Sequence, residues 1–423
     1  MAALPPLSLP TLQNWSCHNC GGCCRRHDIE ITAEERARIV DQRWTPADGV
    51  PGGALIEKSG GWLGRAVYRL AQRPDGGCVF LDERGLCRIH AKFGEAAKPL
   101  ACRLYPFVFH PAGQRVAVGL RYSCPSVVAD KGRSLGERSA ELKGLEREVV
   151  PERASRIDPP EVNAGQRLSW PDTLRVAACL DRMAADSARP FRERLLRLEF
   201  VARMLDQARF EKISGARVDE LLELLSGASG DEVRPVLEAQ APPAAGTLVQ
   251  FRLLCAQYAR LETVREARAG WRHRWKMLRA AVRFARGTGT TPVLQEGFRE
   301  VPFADLEKSF GAIDADMDEM LTRYLRVKLQ SLHFCGRAYY DVPMAEGLAS
   351  LLLATGAACW LARWRSASVG RSTWTGEDLA FALSVVDHQH GFSPSLGHKP
   401  ARSRVRLLWS TGQTGTLLAW VAG

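Results

Sequence analysis

Nowhere in the 423 residues does a Gly-x-Gly-x-x-Gly follow a predicted strand, and no Gly-x-x-x-x-Gly-Lys-Ser/Thr loop occurs. The glycines at Gly60, Gly61 and Gly64, or at Gly287 and Gly289, make neither pattern. Without those backbone cradles for phosphate, the common nucleotide-binding folds lose support. A membrane span is not expected either. The best interior candidate, the uncharged run Gly347 to Ala362 through Leu351, Leu352, Leu353 and Trp360, is shorter than the roughly 20 residues a bilayer requires and holds several small residues, so a buried core helix is expected. The uncharged stretch Leu407 to Gly423 is broken by Ser, Thr, Gln and Gly. Met1 to Trp15 has no basic n-region, and Pro5, Pro6 and Pro10 interrupt its apolar residues, which argues against a secretion signal and for a cytoplasmic location. There is no repeat of fixed period and no low-complexity tract.

What is present is ordinary in bulk. A chain of this length with 46% hydrophobic residues can bury a sizeable core in two or three domains. The net charge of +11 favours acidic partners in principle. The arginines are scattered along helical patterns and no aromatic-basic motif accompanies them, so a solvated basic surface is expected and a nucleic-acid site is not.

Cysteine is the exception. Eight of 12 lie in the first third as Cys17-x2-Cys20-x2-Cys23-Cys24 followed by Cys78, Cys87, Cys102 and Cys124. Thiolates are soft ligands for zinc and iron, and four from one short loop assemble a site with little loop-closure entropy. A metal or iron-sulfur site is preferred over a disulfide framework, which would need an oxidising compartment, and over reactive redox thiols. The neighbouring Cys23 and Cys24 are awkward on one tetrahedral ion and hint at two metals, a cluster or a spectator. His18, His27 and His90 lie close enough in sequence to replace a thiolate. Arg103 could balance the cluster's charge or make a surface ion pair, and Tyr105 could shield it or simply pack. Cys179, Cys255, Cys335 and Cys359 are isolated and read as small buried hydrophobes. A Cys-x3-Cys-x2-Cys radical knuckle is incomplete, because His27 stands at the third position after Cys20 and Cys24.

The expected fold class is α+β: a small cysteine-rich metal-binding module with short hairpins over residues 1–132, then a mostly α-helical domain over 133–423, subdivided near 226–246. Within the module, Ile29 to Ile31 reads as a strand leading into the capping box Thr32-x-x-Glu35. Cys78 to Leu81 and Leu86 to Ile89 read as a hairpin around Asp82-Glu83-Arg84-Gly85, and Pro106 to Tyr122 as a second hairpin. Downstream, Leu195, Leu198, Val201 and Leu205 mark one helix face and Val218, Leu221, Leu222 and Leu225 another ending before Gly227. Ser226 to Gly246 reads as a connector with one short helix, and Thr247 opens a helical stretch to about Arg286. Met317 to Leu332 is helical, and Thr375-x-x-Asp378 caps a helix running to Gly391. Asp387-His388-x-His390 reads as a polar cluster at that helix's end, with the two histidines diverging.

Taken together, the first cysteine group, Cys78-Val79-Phe80-Leu81, Gly85-Leu86-Cys87-x-Ile89 and Gly94-Glu95 before Lys98-Pro99-x2-Cys102-Arg103-x-Tyr105-Pro106 resemble the YkgJ-type cysteine-cluster family over about residues 15 to 125. That resemblance implies a zinc- or iron-chelating domain with Cys17, Cys20, Cys23, Cys24, Cys78, Cys87, Cys102 and Cys124 as ligands. More loosely, Tyr324-Leu325-Arg326-x-Lys328-Leu329, Leu332-His333-Phe334 and the helix ending at Asp387-His388 are similar to flagellin lysine N-methylases. This second likeness implies S-adenosylmethionine as methyl donor and a protein substrate as partner, but it names no catalytic residue. A non-enzymatic metal-handling or interaction protein is the third reading.

Overall fold

A computed structural model describes residues 5–59, 66–151, 156–239, 241–261 and 270–423. Gly60, Gly61 and Gly64 lie outside these, as does 262–269 within the helical stretch expected from Thr247 to Arg286. The architecture is mixed α+β. The first part runs β1 (Leu7–Ser8), β2 (Asn14–Trp15), α1 (Gly22–Arg26), β3 (Glu30–Ile31), α2 (Ala33–Asp41), β4 (Ile56–Ser59), β5 (Val67–Leu70), α3 (Arg88–Phe93), α4 (Leu100–Leu104), β6 (Phe107–Ala112), β7 (Arg115–Leu120), α5 (Pro125–Val128) and β8 (Arg133–Ser134). β5 is the centre of a small antiparallel sheet between β3 and β4, while β7 pairs antiparallel with β6 and parallel with β1.

Local chemistry accounts for much of this. At the start of α2, Thr32 Oγ1 accepts from Glu35 N at 3.2 Å and Thr32 N donates to Glu35 Oε2 at 2.8 Å, closing the capping box read from the sequence. β6 and β7 form the hairpin expected over 106–122, in register from Phe107 opposite Leu120 to Ala112 opposite Arg115. The other expected hairpin is corrected. Leu81 and Cys87 make one isolated bridge, and the chain then turns into α3. Asp82 explains the difference: its carboxylate accepts from Arg84 N at 2.9 Å and Leu86 N at 2.7 Å, tightening the turn so that Arg88 N reaches Phe80 O at 2.8 Å with no room for a longer ladder.

The rest is helical apart from β9 (Glu161–Asn163) and β10 (Gln166–Arg167). Its helices are α6 (Ser139–Val149), α7 (Trp170–Ala185), α8 (Phe191–Gln207), α9 (Ala216–Ala239), α10 (Ala245–Ala259), α11 (Trp271–Arg286), α12 (Phe303–Leu306), α13 (Ala315–Gln330), α14 (Met344–Ala367), α15 (Gly376–Gln389), α16 (Pro394–Gly397), α17 (Lys399–Ser410) and α18 (Thr414–Val421). The apolar helix α14 is buried almost all round among α8, α10, α15 and α18, as a helix with no polar face requires. The connector expected at 226–246 is also corrected, because α9 continues through Gly227, Gly230 and Pro235 to Ala239. Two glycines cost about 1 kcal/mol each in a helix. Packing outweighs them: Leu225, Ser229 and Val233 are buried, and Arg197 of α8 donates to Ser229 Oγ at 2.7 Å and Ser226 O at 2.8 Å.

Apolar packing forms two main groups. The smaller comprises Ile31, Ile39, Val50, Leu70, Ala71, Cys78, Val79, Phe80, Leu81 and Ile89. The larger spans the helices and also takes in Trp15, Phe107, Val118, Leu120, Tyr122, Cys124 and Val127 from the β6–β7 hairpin and its flanks. The hairpin therefore seats the first part of the chain in the helical core.

Candidate metal centre and the buried network beside it

Cys23 and Cys24 occupy the first turn of α1, which starts at Gly21 in the left-handed conformation, φ 66°. The knuckle loop ahead of α1 rests on the Asp82–Leu86 turn. At Gly85, φ 80°, an added Cβ would sit 2.4 Å from Asn19 O, so only glycine lets the two backbones meet. Cys78 N donates to Cys24 O at 2.8 Å, fixing Cys78 against α1. Cys87 caps α3 and Cys102 lies in α4, whose Leu100 N donates to Glu35 Oε1 at 2.6 Å and so ties α4 to the capped helix α2.

All 12 cysteines are free thiols. Cys23 Sγ and Cys24 Sγ are 3.9 Å apart. An S–S edge of about 3.8 Å follows for four sulfurs at about 2.3 Å from a tetrahedral zinc, so these adjacent residues can share one ion after all. The Cys24 thiol, then burial, holds the Cys23 thiol far above its usual range. Burial, with Cys78 and Cys87 next, does the same to Cys102, and burial, with a smaller contribution from Cys87, pushes Cys78 up to about 11. Cys78 and Cys102 thus feel the charge of Cys87 and Cys23. Among the described residues, no three His, Cys, Asp or Glu side chains meet as a closed metal shell would. The thiols are neighbours, with one tetrahedral edge formed.

Cys17, Cys20 and Cys124 stand apart from that group. Cys17 and Cys20 are exposed on the knuckle, and Cys124 is buried at the start of α5. Burial raises the Cys124 thiol, with Cys20 contributing repulsion, and Cys20 Sγ and the Pro125 ring both lie against Gly22. Of the histidines considered, His18 Nδ1 bonds Ser126 Oγ, and His90 is exposed beside Glu95 at 3.3 Å. His27 stacks on His388 at 4.8 Å between ring centres and lies 5.0 Å from the Tyr105 ring. Arg103 makes a two-pronged pair with Glu148, at 2.7 and 2.5 Å. The cations that act on the thiols are instead Lys98, at Cys23 and Cys102, and Arg73, at Cys78. Burial works to lower the pKa of Lys98, but Glu95, Cys102 and Cys87 outweigh this and hold it above its usual range. Lys98 stands in the Lys98-Pro99-x2-Cys102 motif read from the sequence, but the charge-balancing role considered there is that of Arg103.

The donor set fits a thiophilic ion in chemistry. Buried thiols that repel when ionised stay protonated alone, whereas a bound cation supplies the missing charge and deprotonates them.

Next to the thiols lies a second polar region that the sequence did not assemble. Lys328 of α13 and Asp387 of α15 form an ion pair at 2.5 Å with no solvent exposure on either side chain. Lys328 Nζ is 3.0 Å from His333 Nδ1, to which it donates, and Asp387 Oδ2 accepts from Ser123 N at 3.0 Å, joining α15 to the end of the hairpin. His110 of β6 stacks on His333 at 5.1 Å, and Tyr258 and Tyr339 hydroxyls lie 2.9 and 3.4 Å from His390 Nδ1. Burial, then Lys328, holds His390 down to about 3 and His110 to about 4; burial, then Arg121 and Arg26, holds His388 to about 4. These imidazoles are neutral. The polar cluster expected at 387–390 is therefore interior, and its two histidines do diverge, His388 toward His27 and His390 toward Tyr258.

Comparison with known proteins bears on the first region. Residues 16–125, roughly a quarter of the chain, match the CxxCxxCC family model, described as "Putative zinc- or iron-chelating domain". No curated protein and no solved structure matches the chain. The likeness to flagellin methylases finds no counterpart in these comparisons. The cysteine-bearing region, from the residue before Cys17 to the residue after Cys124, is what relates this chain to the zinc- or iron-chelating domains.

Proposed function

We propose that this is a metalloprotein in which Cys23, Cys24, Cys78, Cys87 and Cys102 hold zinc or iron, with Cys17, Cys20 and Cys124 completing the set at the knuckle and α5. One observation carries the reading: the Cys23–Cys24 pair is at tetrahedral spacing, Cys78 and Cys87 from other segments lie near enough to raise the Cys102 thiol, and no disulfide uses any of them. Anaerobically purified protein is expected to contain zinc or iron, and Cys23→Ser with Cys102→Ser to lose most of it. Full loading in that double variant would sink the assignment. Visible absorption separates the metals, since iron-sulfur charge transfer is coloured and zinc is silent.

A second reading, an S-adenosylmethionine-dependent protein lysine N-methyltransferase, draws support from one feature. Lys328, His333, Asp387 and His388, which carry the looser likeness, come together beside the thiol patch. A cleft of about 790 Å³ lined by His110, Trp170, Arg156 and Arg337 reaches the edge of that network. Calorimetry with S-adenosylmethionine tests it, and no heat at millimolar donor would remove it.

A further inference from the structure

Six of the 58 lysines and arginines fall on one helix, interleaved with exposed apolar residues. Helix α11, Trp271–Arg286, carries Arg272, Arg274, Lys276, Arg279, Arg283 and Arg286 and no acidic residue. Interleaved with them, Trp271, Trp275, Leu278 and Val282 are 68%, 56%, 54% and 41% exposed. These four fall at i, i+4, i+7 and i+11, so they form one stripe about 16 Å long along the helix. The opposite face carries Ala280 and Phe284, which are buried and fasten α11 to the body of the protein. With Val293 alongside, this patch holds five of the ten strongly exposed large apolar side chains among the described residues. That concentration is unlike the single scattered apolar residues of an ordinary surface.

Charge frames the stripe. At 100° per residue Arg274 falls on one edge, and Arg279 and Arg286 on the other. Among the described residues Arg272, Arg274, Lys276, Arg279 and Arg286 make no ion pair. Arg283 is turned inward, donating to Thr290 O at 2.6 Å and lying 4.0 Å from Glu300. A groove of about 690 Å³ runs between α11 and Pro292–Leu294, lined by Trp271, Trp275, Lys276, Arg279 and Val293, with Glu300 as its acidic member.

We propose that the exposed face of α11 binds an anionic lipid surface, with Trp271, Trp275, Leu278 and Val282 entering the boundary between headgroups and acyl chains and the flanking arginines meeting lipid phosphates. Interfacial helices combine these parts: an apolar stripe with tryptophan, and basic edges without acids. Charge complementarity selects an acidic partner, and the aliphatic half of the stripe selects lipid over nucleic acid. Leu278, Val282 and Val293 offer nothing to a phosphate backbone and no ring on which a base could stack. The helix is fastened to the protein through the buried Ala280 and Phe284, so the contact is peripheral and crosses nothing.

Cosedimentation of the full chain with vesicles tests this. Binding to phosphatidylcholine–phosphatidylglycerol vesicles is expected to be roughly tenfold or more tighter than to phosphatidylcholine alone, and to weaken as salt is raised. Trp271→Ser with Trp275→Ser should weaken it roughly tenfold or more while leaving the thermal midpoint unchanged, because both side chains are exposed. Leu278→Glu should act in the same direction and serves as an independent check on folding. Equal affinity for neutral and anionic vesicles, undiminished binding by both variants, or no vesicle binding at all would overturn the proposal. So would polynucleotide binding through these residues in a protein that ignores vesicles.

Discussion

The thiol group is partly buried and the Lys328–Asp387 network fully so, and His27 stacked on His388 joins their edges, yet their charges are balanced in opposite ways. In the patch, like groups repel once ionised, and Lys98 and Arg73 are cations that act on them. In the network, opposite charges already meet, and backbone and imidazole groups take up further hydrogen-bonding capacity. On the proposed reading, a region of the first kind is completed by an ion from outside. One of the second kind already pairs its charges when the chain folds, with His110 Nε2, His388 Nδ1 and His390 Nε2 left buried without a hydrogen-bond partner among the described residues, and it fails when half of the pair is removed. Their packing differs in the same sense: the group of apolar residues around Phe80 is small, whereas the one around α14 is extensive.

Removing the metal should separate the two most sharply. A structural zinc contributes on the order of 10 kcal/mol to folding in small domains. Chelation should therefore raise hydrogen exchange across Cys17–Cys102 while α14 stays protected; equal deprotection of both would show that the patch does not depend on metal.

Next in size is Lys328→Met, which leaves Asp387 charged and alone in the interior and should cost about 3–5 kcal/mol in urea unfolding. Adding Asp387→Leu should restore most of that loss. A double variant no better than the single would mean that the pair is not the stabilising unit.

Acid should act on the network too. His390 and His110 remain neutral in the folded chain down to about pH 3 and 4, while the unfolded chain takes up protons near pH 6.5. The unfolded state then binds more protons, so stability falls as pH drops from about 6.5 toward 4, by up to about 1.4 kcal/mol per pH unit for each histidine. His390→Gln should flatten that slope; urea midpoints that do not move between about pH 7 and 5 would contradict the burial argument. The smallest effect is a gain. Gly227→Ala and Gly230→Ala meet no atom within 4 Å in the continuous helix α9 and should each stabilise by about 1 kcal/mol. Destabilisation would restore the broken connector read from the sequence.

Local chemistry explains which elements could be read in advance. The capping boxes at Thr32 and Thr375, the β6–β7 hairpin and the apolar helix α14 are each determined by residues within a few positions of one another. The reading failed where distant contacts outweighed local preference, as at α9, where Arg197 and buried Leu225 and Val233 hold a helix across two glycines, and at the 82–86 turn, where one aspartate shortened a hairpin. It also failed at α11, where the basic residues were judged against the whole chain and their interleaving with Trp271 and Trp275 in one helix was missed.

Cysteine spacing alone determined that the front of the chain is similar to the domains described as zinc- or iron-chelating, because soft donors at short intervals carry that pattern in the sequence itself. Which thiols become neighbours, that Lys98 and Arg73 and not Arg103 act on them, and that Lys328 meets Asp387 were decided only in three dimensions. Coulomb forces and desolvation depend on distance through space and on burial, and neither can be read from separation along the chain.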